Sequence, residues 1–290
     1  MAGGILGPCD SHRRGFCQNA GLSYWMALAV EKSPSGLEAT VIRREVESGL
    51  WLFTQQNHAF LCGQLAQWWN SLLPHELILA AYIHDAGWQE RDAAPQLNAY
   101  RQPCTFTELK LDDHFVVWRR SIDRVLGANR YAGLMVSLHA SSLYERRLRG
   151  GVDSPENAAH IQAFIQQQRN FQSNLQNELI PTYGRLVEND ALEQNLARLQ
   201  AWDWLSLLLC MGSPRPPHQI KAGLPHTLSL EVTPEGVVLV SPWPFVVNEV
   251  TLQIEGRYLD QQTFEDEPQL QSRYDSTRLQ PYTVRILPKE

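Results

Sequence analysis

Apolar residues return every three or four positions along most of the chain between Thr54 and Met211, the spacing that lays them on one face of an α-helix. Read this way, one helix begins near Thr54 and runs to about Leu72. A second opens at Pro74, a favoured first helical position, and ends near Gly87. A stretch rich in Pro, Asn and Gln breaks the pattern from about Trp88 to Leu111. Asp112 or Asp113 then caps a third helix that reaches Gly127. A fourth spans about Tyr131 to Leu148 and stops at Gly150-Gly151. Ser154-Pro155-Glu156 opens a long fifth to about Ile180, and the last runs from about Asp190 to Met211.

The period changes at both ends of this block. Thr40 to Phe53 is strand-like, with a turn at Glu47-Ser48-Gly49. Beyond Pro214-Arg215-Pro216-Pro217, Thr227 to Val232 alternates, Pro234-Glu235-Gly236 turns, and Val237 to Val240 returns. Val250 to Ile254 and Tyr282 to Ile286 are further strand candidates. The pattern predicts a mainly α fold: a helical bundle over 39–213, with a small C-terminal antiparallel β appendage over 214–290. Residues 1–38 are rich in Gly, Ser and Cys and are expected to be a disordered extension, with Met26 a plausible start. Cys9, His12 and Cys17 lie there, and nothing nearby completes a ligand set.

Composition narrows the function. A net charge of −6 gives no basic stripe for nucleic acid, although small anionic substrates stay open. The longest apolar run, around Leu205 to Met211, is far too short to cross a bilayer, and the first residues do not read as a signal peptide. The five cysteines are scattered, with no C-x-x-C pair, which fits neither a disulfide framework nor a zinc ribbon. A reducing, cytoplasmic setting and a small-molecule substrate are expected.

The chemistry lies in polar residues placed on apolar helical faces. His58 shares its face with Leu61 and Leu65; His84 follows Leu77, Ala80 and Ala81, with Asp85 adjoining. His114 lies with Val117, Trp118 and Ile122, and His139 among Met135, Val136 and Leu143. Asp203 is the most telling, since Leu196, Leu199 and Leu207 are its helical neighbours and neither Arg198 nor Arg215 shares the face. An ionised carboxylate there costs several kcal/mol unless a cation meets it. One buried histidine is usually a hydrogen-bonded core residue. Six such residues on five helices instead form a ligand set for zinc, iron, manganese or nickel, and six exceed what one tetrahedral ion needs.

The order His58, His84-Asp85, His114, His139, Asp203 resembles the HD-domain superfamily of metal-dependent enzymes in its six-ligand, dinuclear form. The resemblance spans about residues 54–211 and implies an HD-type helical bundle holding two metal ions, divalent or mixed-valent, with His84 and Asp85 at the catalytic heart and Asp85 as bridge. Ile83-His84-Asp85-Ala86-Gly87-Trp88, followed by Asp92-Ala93-Ala94-Pro95, also resembles an uncharacterised bacterial HD-like family that carries no known activity. Two enzyme classes share the six-ligand pattern: di-iron oxygenases similar to myo-inositol oxygenase, and HD phosphohydrolases or phosphodiesterases. Trp88 stands where many of the hydrolases carry Lys, and the His114-to-His139 interval is close to that from His58 to His84. These features turn the expectation toward an oxygenase that cleaves a small polar substrate with O2. Iron is then the favoured metal, with Mn, Mg, Zn or Ni as others. Trp88, Tyr144 and Arg147 are candidate substrate contacts, and Asp92 is a candidate to orient a ligand histidine.

Overall fold

The computed structural model describes residues 41–212, 218–220 and 224–290. The extension expected over 1–38, with Met26 and its Cys and His residues, and the Pro214-Arg215-Pro216-Pro217 stretch lie outside the described residues.

Strands β1 (Ile42–Val46) and β2 (Gly49–Phe53) form an antiparallel hairpin, with Ile42 opposite Phe53 and Val46 opposite Gly49. The chain then enters the helices: α1 (Gln55–Trp68), α2 (His75–Ile83), the short α3 (Gln89–Asp92), α4 (Leu111–Ala128), α5 (Arg130–Gly150), α6 (Pro155–Tyr183) and α7 (Asn189–Met211). Strands β3 (His218–Ile220), β4 (Leu228–Val232), β5 (Val238–Ser241) and β6 (Val250–Leu259) follow, then α8 (Glu267–Ser276) and β7 (Gln280–Pro288). The helix signals act locally as read. The Thr54 side chain caps α1 by accepting from Asn57 N, Ser154 does the same for α6 with Pro155 in its first turn, and Gly151 ends α5 in the left-handed region.

The β part is not a small appendage. One seven-stranded sheet runs in the order β1-β2-β6-β7-β5-β4-β3, a curled half-barrel that takes strands from both ends of the described chain. Leu50 of β2 pairs with Leu259 of β6 in antiparallel register, and β5 runs parallel to β7, so the sheet is mixed. Apolar side chains on both faces of the hairpin explain the arrangement. Leu50 and Leu52 pack with Val41, Leu259, Phe264, Leu270 and Tyr274, while Ile42 and Phe53 join the main core. An isolated two-stranded hairpin is at best marginal in water, so these residues are buried only when β6 extends the sheet.

Strand β6 alternates inward Val250, Leu252 and Ile254 with outward Thr251, Gln253 and Glu255. Its inward residues share a single hydrophobic core with Leu61 and Leu65 of α1 and Leu205 and Leu209 of α7. Helices and sheet therefore form one packed body around α1 and α7. Close approach inside the bundle uses Gly63, where a Cβ would stand 2.2 Å from Cγ of Tyr82 in α2.

If the sheet shares the helical core, a sheet residue should matter as much as a helical one. Leu252→Ala, at a fully buried position, is expected to cost about 2–5 kcal/mol in denaturant unfolding, while Thr251→Ala on the outer face stays within about 0.5 kcal/mol. A loss below about 1 kcal/mol at Leu252 would indicate a sheet merely attached to the bundle.

Candidate metal centre

The ligand-bearing residues are set by helix ends and one tight turn. Asp92 Oδ2 accepts from Gln55 N at 2.8 Å, so the α1 N-terminus is closed by a buried carboxyl as well as by Thr54. The first helical bond, His58 N to Thr54 O at 3.1 Å, then fixes His58 one turn inside α1. His84 terminates α2, and Asp85 begins the 3-10 turn Ala86–Trp88. Gly87 N donates to Ser121 Oγ of α4 at 2.9 Å, and a Cβ on Gly87 would lie 2.2 Å from Val117 O. The backbones meet there so closely that only glycine fits, which pins the His84-Asp85 turn against α4.

Five side chains from α1, the α2 end, α5 and α7 converge. His58 Nε2 lies 3.1 Å from Asp203 Oδ1 and 3.4 Å from Asp85 Oδ2. His84 Nε2 lies 3.3 Å from Asp203 Oδ1 and 3.4 Å from Asp85 Oδ2, and His139 Nε2 is 3.4 Å from Asp203 Oδ2. The imidazoles meet edge to face, with ring centroids 5.2 Å apart for His58 and His84 and 5.7 Å for His84 and His139. His58, His84, His139 and Asp85 are buried, and Asp203 is the most open of the five, its side chain 13% exposed. Two overlapping ligand groups result, His58-His84-Asp85 and His84-His139-Asp203, with His84 in both.

Hydrogen bonding fixes which ring nitrogens face inward. Ser206 Oγ gives its proton to Asp203 O at 2.9 Å, so toward His58 Nδ1, also at 2.9 Å, it is the acceptor. His58 therefore carries its proton on Nδ1 and turns the Nε2 lone pair to the cluster. His84 Nδ1 donates to Ala81 O at 3.0 Å, with the same consequence. Despite their short distances to the carboxylates, Nε2 of His58 and Nε2 of His84 make no hydrogen bond. Each lies within 3.4 Å of one Asp203 oxygen and one Asp85 oxygen. Ligands each ~2.1 Å from one ion stand roughly 3.0–3.4 Å from one another, the spacing seen here. Two carboxylates and three neutral imidazoles also balance one divalent charge. The donor set fits a metal ion.

A proton and a metal ion would compete for these nitrogens. Burial works to lower the His58 and His84 pKa, but the carboxylates of Asp203 and Asp85 outweigh it and raise both, His84 to about 9. Burial prevails at His139, whose pKa falls despite Asp203. Burial would raise Asp203, yet His139, His58 and His84 hold it well below the usual carboxylate range.

His114 is not brought to this cluster. Partly buried on α4, it places Nε2 2.9 Å from Phe106 O, and its ring meets Trp88 edge on at 5.5 Å. Burial, with the charges of Arg147 and Arg91, lowers its pKa to about 4 against the Phe106 carbonyl, so the ring is neutral and Nε2–H is the donor. Helical spacing put His114 on an inward face, and the loop before α4 supplies the carbonyl that takes it.

The expected substrate contacts are also engaged elsewhere. Arg147 makes a two-pronged ion pair with Asp153 at 2.6–3.0 Å. Tyr144 is buried between Phe115 and Phe164, and Trp88 packs with Leu109 and Val117. Asp92 orients helix α1 rather than a histidine. Burial pushes its carboxyl well above the usual range, with the α1 backbone donors opposing and Asp85 adding. Sequence reading missed Ser206, although its position three residues after Asp203 places it on the same helical face. It also missed Gly87 as the anchor to Ser121, since that contact joins residues 34 apart.

A buried set of imidazoles and carboxylates where helices meet a mixed sheet defines this as a candidate metal-binding α+β protein. The chain belongs to the family described as "Protein of unknown function (DUF3891)", whose model matches residues 41–261, from the hairpin through β6 and just beyond. Neither the search of curated proteins nor that of solved structures finds a match. Among the described residues, no helix is long and apolar enough to cross a membrane.

Two outcomes follow from the proton placement. Ser206→Ala removes the acceptor that holds His58 Nδ1–H and is expected to weaken metal affinity about 10–100-fold in a competition titration. Chelator-treated protein carries a raised His84, whose stabilisation is fully present below the ordinary value of 6.5 and is lost as pH rises through about 9. Its melting temperature should therefore fall across that window, while metal-loaded protein, with the proton displaced, should not follow it.

Proposed function

We propose that this protein is an HD-type metal-dependent phosphohydrolase or phosphodiesterase, with His58, His84, Asp85, His139 and Asp203 holding one divalent ion. The observation that carries the reading is the placement of His114. The oxygenase expectation needs a second ion with His114 among its ligands, and the Nε2–H of that ring is committed to Phe106 O. The five converging side chains suit one ion, and hydrolysis of a phosphate ester is the chemistry that one such ion supports. A divalent ion bound there would lower the pKa of a coordinated water and polarise the ester.

The residues of the chain supply the rest. Ser206 and the Ala81 carbonyl keep the His58 and His84 rings in the tautomer that offers Nε2. Buried His58, His84 and His139 close the floor of the site, and the apolar core beneath them keeps bulk water out. Asp203, the most exposed of the five, marks the side from which a substrate arrives. Reaction there replaces a P–O ester bond with a P–O bond from water, and the proton of that water leaves with the alcohol. Iron, manganese, zinc, nickel and magnesium all suit such a donor set.

The test is hydrolysis of bis(4-nitrophenyl) phosphate under argon by Mn²⁺-loaded protein. Turnover without O2, lost by at least about 100-fold in His84→Ala, is the expected result. Turnover that consumes O2, with the paramagnetic signature of a spin-coupled iron pair, would return the oxygenase reading to first place.

A further inference from the structure

Helix α5 carries a second polar group on the side of His139, seven residues further on and therefore two turns along the same face. Arg146 Nη1 donates to Gln200 Oε1 at 2.7 Å, and Gln200 stands one turn before Asp203 on α7. Gln200 and Asp203 are three residues apart on α7, about 4.5 Å along its axis, so the guanidinium is held by a residue one turn from the most exposed ligand. Its position is fixed by a chain of bonds that starts at the ligand itself. Ser142 Oγ donates to His139 O at 2.7 Å, so it accepts from Gln200 Nε2, and this orients the amide to present Oε1 to Arg146.

Arg146 forms no ion pair with a carboxylate among the described residues. Arg147 and Arg91 differ in this respect, since Arg147 is paired with Asp153 and Arg91 with Asp113. Nε of Arg146 is buried and makes no hydrogen bond. With Nη1 taken by Gln200, the Nε–Nη2 edge is left, the edge of a guanidinium that grips an oxyanion with two parallel bonds. Burial lowers the Arg146 pKa, while the charge of Asp203 supports it. A partly buried cation beside a metal-type cluster, with a two-donor edge unused, is costly unless an anion completes it.

We propose that Arg146 is the substrate-recognition residue of the centre and binds a phosphoryl-type oxyanion on its Nε–Nη2 edge, with Gln200 and Ser142 as positioning residues. The inference rests on the metal-centre reading and adds the group that selects an anionic substrate. Arg146 takes the role for which Trp88, Tyr144 and Arg147 were candidates.

Inorganic phosphate is the probe, titrated calorimetrically into Mn²⁺-loaded wild-type protein, Arg146→Met and Arg146→Lys, with metal content and melting temperature measured on each. Arg146→Met is expected to weaken phosphate binding about tenfold or more, with its metal content kept, and Arg146→Lys to recover part of the loss through charge without the fork. Unchanged phosphate affinity in a folded, metal-loaded Arg146→Met would overturn the inference, and so would a metal-loaded wild type that takes no phosphate. If Arg146→Met fails to fold, Arg146→Lys and Gln200→Leu decide: both should weaken phosphate binding, and wild-type affinity in both would reject the role. A wild type that takes up no metal would instead reject the metal centre, so the two failures are separable.

Discussion

The structure depends on how one carboxylate is kept charged inside an apolar helical face. Asp203 stands on α7 between residues that belong to the core, where an unpaired charge costs several kcal/mol. Its charge is met by three imidazoles and by no lysine or arginine within ion-pair distance among the described residues. Imidazoles meet it well only if their inward nitrogens share a cation or carry protons. Each solution requires the rings to be held from behind, and the Ser206 hydroxyl and the Ala81 carbonyl hold two of them. The fold must therefore bring the end of α2 and the middles of α5 and α7 to one point beside the first turn of α1.

The rest of the molecule secures that convergence. Asp92 and Thr54 close the α1 N-terminus one turn before His58, and the Tyr274 hydroxyl donates to Asp92 O at 2.8 Å, which ties α8 to the same corner. Gly87 lets the His84-Asp85 turn rest on α4. The sheet backs α1 and α7 with apolar side chains from β6, and the hairpin that leads into α1 pairs with β6 and forms one edge of the sheet. Strands drawn from both ends of the described chain thus steady the two helices that carry His58 and Asp203. This is why the β part cannot be an ornament on a bundle.

What could be read in the sequence follows the range of the interactions. Helix periods, Thr54, Ser154 and Gly151 act within a few residues and were legible, as were the turns of the C-terminal strands. His58, His84, Asp85, His139 and Asp203 were legible because each is a polar break in an apolar stripe. His114 shows the limit of that reasoning: the stripe gave its direction but not the Phe106 carbonyl that meets it. The pairing of β2 with β6 joins residues some two hundred apart, and nothing local in either strand names its partner. Arg146 and Arg147 look alike in sequence. They differ only because Asp153 lies within reach of one and an uncharged amide, Gln200, within reach of the other.

Counting ions tests most directly whether the proposed centre holds a single ion without His114. Protein purified without oxygen or chelator is analysed for metal by mass spectrometry, alongside His114→Ala and His139→Ala. One ion per chain is expected in the wild type, one ion retained with His114→Ala, and a marked loss with His139→Ala. Two ions in the wild type, falling to one with His114→Ala, would contradict it, and so would a folded wild type that holds none.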